Sequence, residues 1–157
     1  MNTSQRVRIL EALVERLQAV RANGQAASGA TYETDAGLAV YVGERPELGE
    51  SDPYVAIAVL PQEDDVAGIG QQLAFMVTLP IAIEAIASVE RLDEPYLAAE
   101  AVVADIKRAI EGERTIGGLV SDMRRGSTAV VPREPGTTTV GVAVTYQLTF
   151  KEPWGNP

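Results

Sequence analysis

The chain has 157 residues, 46% hydrophobic and 22% charged, a globular composition long enough for one ordinary core. Its 22 acidic and 13 basic side chains leave a net charge of −9. That balance argues against nucleic acid as the main partner, because phosphate contacts need clustered positive charge. With no cysteine and no histidine, disulfides, thiol and imidazole catalysis and the usual zinc and iron ligands are excluded.

A helix is expected first. Thr3 or Ser4 can cap it, and Ile9, Leu10, Leu13, Val14, Leu17 and Val20 recur as one apolar stripe, with Asn23-Gly24 as the stop. Residues 25–36 are small and polar, a loop or a short strand around Tyr32. Leu38, Val40 and Val42 then alternate as a strand, "RPELGESDP" is turn chemistry, and "YVAIAVLP" reads as a central strand, apolar on both sides. "QEDDVAGIGQ" follows as a second acidic loop.

The longest alternation runs through Leu73, Phe75, Val77, Leu79, Ile81 and Ile83, with Ala74, Met76, Thr78, Ala82 and Glu84 on the other side. Pro80 lies inside it and cannot donate a ladder hydrogen bond, which predicts a bulge or an edge. A second helix is predicted from Asp93 as cap and Pro95 in the first turn to Gly112, placing Ala99, Val102, Val103, Ile106 and Ile110 inward. A strand over 123–131 follows, then a closing strand whose Val140, Val142, Val144, Tyr146, Leu148 and Phe150 form one apolar side. Its other side is Thr, Gly, Ala and Gln, so its work there is contact rather than chemistry. The order α, β, β, β, α, β, β predicts a single α+β domain over 1–157. A mostly antiparallel sheet carries two main helices on one face, and 151–157 forms an extended C-terminal tail too polar and proline-broken to prolong the strand.

Carboxylates are the remaining reactive groups. Glu44, Glu47, Glu50 and Asp52 form one cluster and Glu63, Asp64 and Asp65 another, both in loops where solvation is the easy outcome and neither with calcium-loop spacing. "AGIGQQL" and "TIGGLV" lack the complete dinucleotide and phosphate-loop patterns, and Ser88 and Ser121 have no evident link to Lys107. No enzyme, cofactor or metal site is expected. The N-terminus lacks a signal-peptide core, and Pro80 and Glu84 interrupt the longest apolar run, so a membrane is not expected as a partner. Arg124, Arg125 and Arg133 are the local basic cluster, and Trp154 is an aromatic able either to tuck onto its own sheet or to anchor in a neighbour.

The phrases "RILEALVERLQAV", "PYVAIAVLP", "QLAFMVTLPIAI", "PYLAAEAVVADIKRAI", "GGLVSDMRRGSTAVVP" and "VGVAVTYQLTFKEPW", in that order, resemble the tail terminator or minor tail proteins of long-tailed bacteriophages and prophages. The resemblance covers most of the chain but fixes no motif. It implies a structural protein forming a homo-oligomeric ring, typically of six copies, that caps the tail tube and meets the head connector. Its place would be the bacterial host cytoplasm during assembly and then the virion tail. A ring needs two different patches per subunit, and the acidic loops and the arginine cluster, opposite in sign, are the expected pair. The rival expectation is a small non-enzymatic binding module that holds a ligand or protein against the open face of its sheet. An enzyme using Asp or Glu ranks third.

Overall fold

The two apolar periods of the sequence separate into two layers. In the computed structural model, which describes residues 3–44, 55–68, 74–88, 94–131 and 139–155, helical spacing gives α1 (Gln5–Gln18) and α2 (Pro95–Glu111). Alternation gives β1 (Val40–Val42), β2 (Val55–Pro61), β3 (Asp65–Gly68), β4 (Ala74–Ser88), β5 (Asp122–Val131) and β6 (Thr139–Pro153), with a 3₁₀ turn at Ala36–Leu38. The sheet runs β1-β2-β4-β6-β5, with β3 paired to β4. All pairings are antiparallel except β1 with β2. The expected α+β class, with two helices on one face, is what forms.

β4 and β6 pair over their full 15 residues, from Ala74 opposite Pro153 to Ser88 opposite Thr139. At 3.3–3.4 Å per residue that ribbon is about 50 Å long, against about 25 Å for α2 at 1.5 Å per residue. Val77, Leu79, Ile81 and Ile83 meet Phe150, Leu148, Tyr146 and Val144 on the helix side, all buried. Burial of each large apolar side chain there contributes roughly 1.5–3 kcal/mol. Ile9, Leu13 and Leu17 of α1 and Ala99, Val102, Val103, Ile106 and Ile110 of α2 close the core over them. Among the described residues, no helix covers the opposite face.

Pro80 is accommodated by a bulge in its neighbour. The β2–β4 register shifts by one residue between Pro61 opposite Ile81 and Asp65 opposite Thr78. Gln62 N–H donates to the Pro80 carbonyl (2.9 Å), so the side of Pro80 that lacks a donor faces this break rather than β6. A second bulge lies in β5 between Arg125 and Thr128. There the Thr145 hydroxyl accepts from Ser127 N–H (2.8 Å), and a Cβ on Gly126 would come within 2.5 Å of that oxygen.

Three expectations need correction. The acidic loop after β2 contains β3, hidden because the bulge interrupts the alternation. The C-terminal tail does prolong its strand: Lys151, Glu152 and Pro153 pair with Met76, Phe75 and Ala74, because β4 reaches far enough to supply a partner. Finally, α1 stops at Gln18, before Asn23-Gly24. Asn23 takes a positive φ of 67° in a small hairpin, where its N–H donates to Tyr32 O and Tyr32 N–H returns to Gly24 O. Ser4 caps α1 as expected, accepting from Val7 N–H (3.3 Å), whereas the expected cap Asp93 of α2 lies outside the described residues.

The turn after α2 is organised by Glu113. Its carboxylate accepts from Gly117 N–H (2.5 Å), Thr115 N–H (2.6 Å), the Thr115 hydroxyl and Arg16 (2.9 Å). These bonds, the Gly117 N–H foremost, lower its pKa from 4.5 to about 2. A depressed carboxylate pKa contributes stability present above 4.5 and lost as pH falls toward 2. The urea midpoint of the wild type should therefore fall across that window more steeply than that of Glu113→Gln. Parallel curves would refute this role.

Candidate partner-binding groove

The apolar arc of α1 is too wide for one partner. Ile9, Leu13, Leu17 and Val20 enter the core, but Leu10 and Val14 are only half-buried and Val7 is 41% exposed. Spacing of three and four residues stacks Val7, Leu10 and Val14 as a second stripe, which looks across at β1. The single stripe expected from the sequence is thus two. Between the second stripe and Val42, itself 48% exposed, lies a groove of about 440 Å³ lined by Val7, Leu10, Glu11, Val14, Glu15, Gln18 and Val42.

Both walls are fixed from behind. Arg6 pairs with Asp64 (3.1 Å), Gln5 Nε2 donates to Leu119 O (2.6 Å), and Arg16 Nη1 donates to Ile110 O (3.0 Å) and Glu113 O (2.8 Å). These bonds hold α1 along its length. β1 is held by Ile57 N–H to Ala39 O (2.8 Å) and Gly43 N–H to Val59 O (3.0 Å). Ahead of β1, Gly37 N–H donates to Val20 O (3.1 Å) at the end of α1. The groove lining carries two carboxylates and no cation, and among the described residues neither Glu11 nor Glu15 makes an ion pair. Leu38 and Tyr41, at and next to β1, are also exposed large apolar side chains, but neither lines the groove.

The loop preceding β1 hangs on Asp105 of α2, a fully buried carboxylate. It accepts from Thr34 N–H (2.7 Å), the Thr34 hydroxyl (2.8 Å) and Glu33 N–H (3.0 Å), and pairs with Arg108 (2.8 Å). All its bonds go to this staple, which fits a structural carboxylate. A second cavity, about 270 Å³, is lined by Glu111, Arg114, Met123, Arg125 and Tyr146. Its charges are paired: Tyr146 donates to Glu111 (3.0 Å), Arg125 pairs with Glu111 (3.4 Å) and Arg114 with Asp122 (2.6 Å). Burial, and then the Glu111 charge, push the Tyr146 hydroxyl well above its ordinary pKa, so it stays a donor.

The residues expected to make contacts are scattered. Arg124 and Arg125, adjacent in β5, point to opposite faces: Arg124 pairs with Asp122 (3.1 Å) and Arg125 reaches Glu111 under α2. Asp64 is drawn onto α1 by Arg6, while Glu63 and Asp65 are exposed. Glu44 is exposed just past β1, and Glu47, Glu50, Asp52 and Arg133 lie outside the described residues. Trp154 leans on Phe75, ring centroids 5.3 Å apart, and stays 66% exposed. No group of three metal-ligating side chains forms among the described residues.

No family model matches the chain, and no curated protein matches it. Among the solved structures that match is the core region of PilO from the type IV pilus system of Pseudomonas aeruginosa. It is 14% identical, covers 60% of this chain and 79% of that one, and has a TM-score of 0.25, too loose to carry an argument about function. The expected identity as a phage tail terminator is corrected by these comparisons. No family model and no curated protein supports the tail reading, and the matching solved structure named above comes from a pilus system. The resemblance rested on element order, which an α+β chain shares with unrelated proteins, and the six-copy ring with its tail-tube and head-connector partners loses the support it drew from that resemblance.

Proposed function

We propose that the chain is a non-enzymatic protein-binding module that takes an apolar segment of a partner protein into the groove between α1 and β1. The observation that carries this reading is the groove itself: two preformed walls, an apolar floor from Val7, Leu10, Val14 and Val42, and carboxylates in the lining. Its acidic lining, on a chain of net charge −9, favours a segment that carries basic side chains beside its apolar ones. Both cavities described above, the groove and the one beside Tyr146, lie on the helix side of the sheet rather than on its helix-free face.

Selection from a random-peptide display library against the whole chain tests this. Enriched peptides should bind the wild type and lose at least about tenfold in affinity against Val42→Glu, whose exposed side chain tolerates the change without unfolding. Trp154→Ala, remote from the groove, should leave binding within about twofold. Failure to enrich any peptide, or equal binding to Val42→Glu, removes the groove as the site.

A further inference from the structure

Resting on the binding reading above, we infer that the partner segment enters as an extended strand added to the outer edge of β1, with apolar and basic side chains alternating into the groove. Ala39 O and Gly43 N–H bond to β2, so by the alternation of a ladder Tyr41 faces β2 as well, and the N–H and C=O groups of Val40 and Val42 point away from it. Among the described residues no strand pairs with that side. β1 also lacks the devices that normally blunt an edge, having no proline, no lysine and no bulge along Val40–Val42.

Side-chain direction makes the edge and the groove one site. Val42 looks into the groove, so every second side chain of a strand laid beside it would lie over Val7, Leu10 and Val14. The charges match in spacing too. Glu11 and Glu15 are four residues apart on α1, a rise of about 6 Å, close to the roughly 6.7 Å between alternate residues of a strand. Two basic side chains at i and i+2 on the groove-facing side therefore meet both carboxylates. The remaining side chains of the added strand fall on the other face of the sheet beside Tyr41, where threonine suits them.

The probes are the peptides Val-Thr-Val-Thr-Lys-Thr-Lys and Lys-Thr-Lys-Thr-Val-Thr-Val, which allow for either strand direction. At least one should bind the full chain. The same peptide with Glu in place of Lys should bind at least about tenfold more weakly, and the Glu11→Lys/Glu15→Lys protein should reverse that order. The decisive comparison N-methylates the binding peptide on alternate residues in the two possible phases. Strand addition predicts that one phase loses binding by about tenfold or more while the other stays within about threefold, because only alternate N–H groups face β1. Equal effects of the two phases overturn strand addition and leave groove binding standing if display-selected peptides still bind. If those peptides bind but neither defined peptide does, the inferred chemistry is overturned. If nothing binds, the groove reading itself falls.

Discussion

Asp105→Ala is expected to lower the unfolding free energy by about 3–5 kcal/mol, among the largest effects of any single polar substitution in this chain. The carboxylate is fully buried and accepts two backbone N–H groups and a hydroxyl from Glu33 and Thr34, with Arg108 closing the set. Alanine would leave the Thr34 amide and hydroxyl inside the protein without an acceptor, each a cost of about 1–3 kcal/mol, and would take from Arg108 one of its two carboxylate partners, Glu33 (2.8 Å) remaining. Asn keeps one acceptor oxygen and should lose about half as much. Urea unfolding at fixed pH measures both. A loss below about 1 kcal/mol in Asp105→Ala would mean that water takes over the staple.

Gly37→Ala comes second, with an expected loss of about 3 kcal/mol, at the upper end of what overpacking costs. A Cβ there would land on the Leu17 carbonyl oxygen and within 2.7 Å of the Val20 carbonyl oxygen. Those are backbone atoms at the end of α1, so the strain cannot be relieved by turning a side chain, and the Gly37–Val20 hydrogen bond must stretch. Because this contact sets the distance between α1 and the run into β1, the variant should also bind groove peptides more weakly at temperatures where it remains folded. Wild-type stability in Gly37→Ala would show that the 3₁₀ turn moves freely.

The elements with a clean period were legible from residues alone. Alternation from Phe75 to Ile83 and from Val140 to Phe150 assigned the right side chains to the core or its margin, and Ala99 through Ile110 did the same for α2. Leu73, the first residue of the expected pattern, lies outside the described residues. β3 was not legible, because the extra residue near Gln62 reverses which parity faces inward: Val59 and Val66 both lie on the helix side. The groove was missed because Val7, Leu10 and Val14 merge with Ile9, Leu13 and Leu17 into one broad apolar arc. An arc too wide for a single interface was the signal available. The arginine pair misled for a simpler reason. Neighbours in a strand point apart, so two adjacent charges there never make one patch.

The bulge at Gly126 and Ser127 governs which of several near-equivalent alignments the chain adopts. Slipping β5 by two residues along β6 would keep every apolar side chain on its proper face, so hydrophobic patterning alone does not select between the two. The slipped pairings bring either Ala143 or Gln147 to the position of Thr145. Alanine has no oxygen for the Ser127 amide, and glutamine is too large for the space over Gly126. Selection of the native alignment at this seam therefore falls to one half-buried hydroxyl rather than to the core, and Thr145→Ala would be expected to admit a competing alignment before it costs much stability.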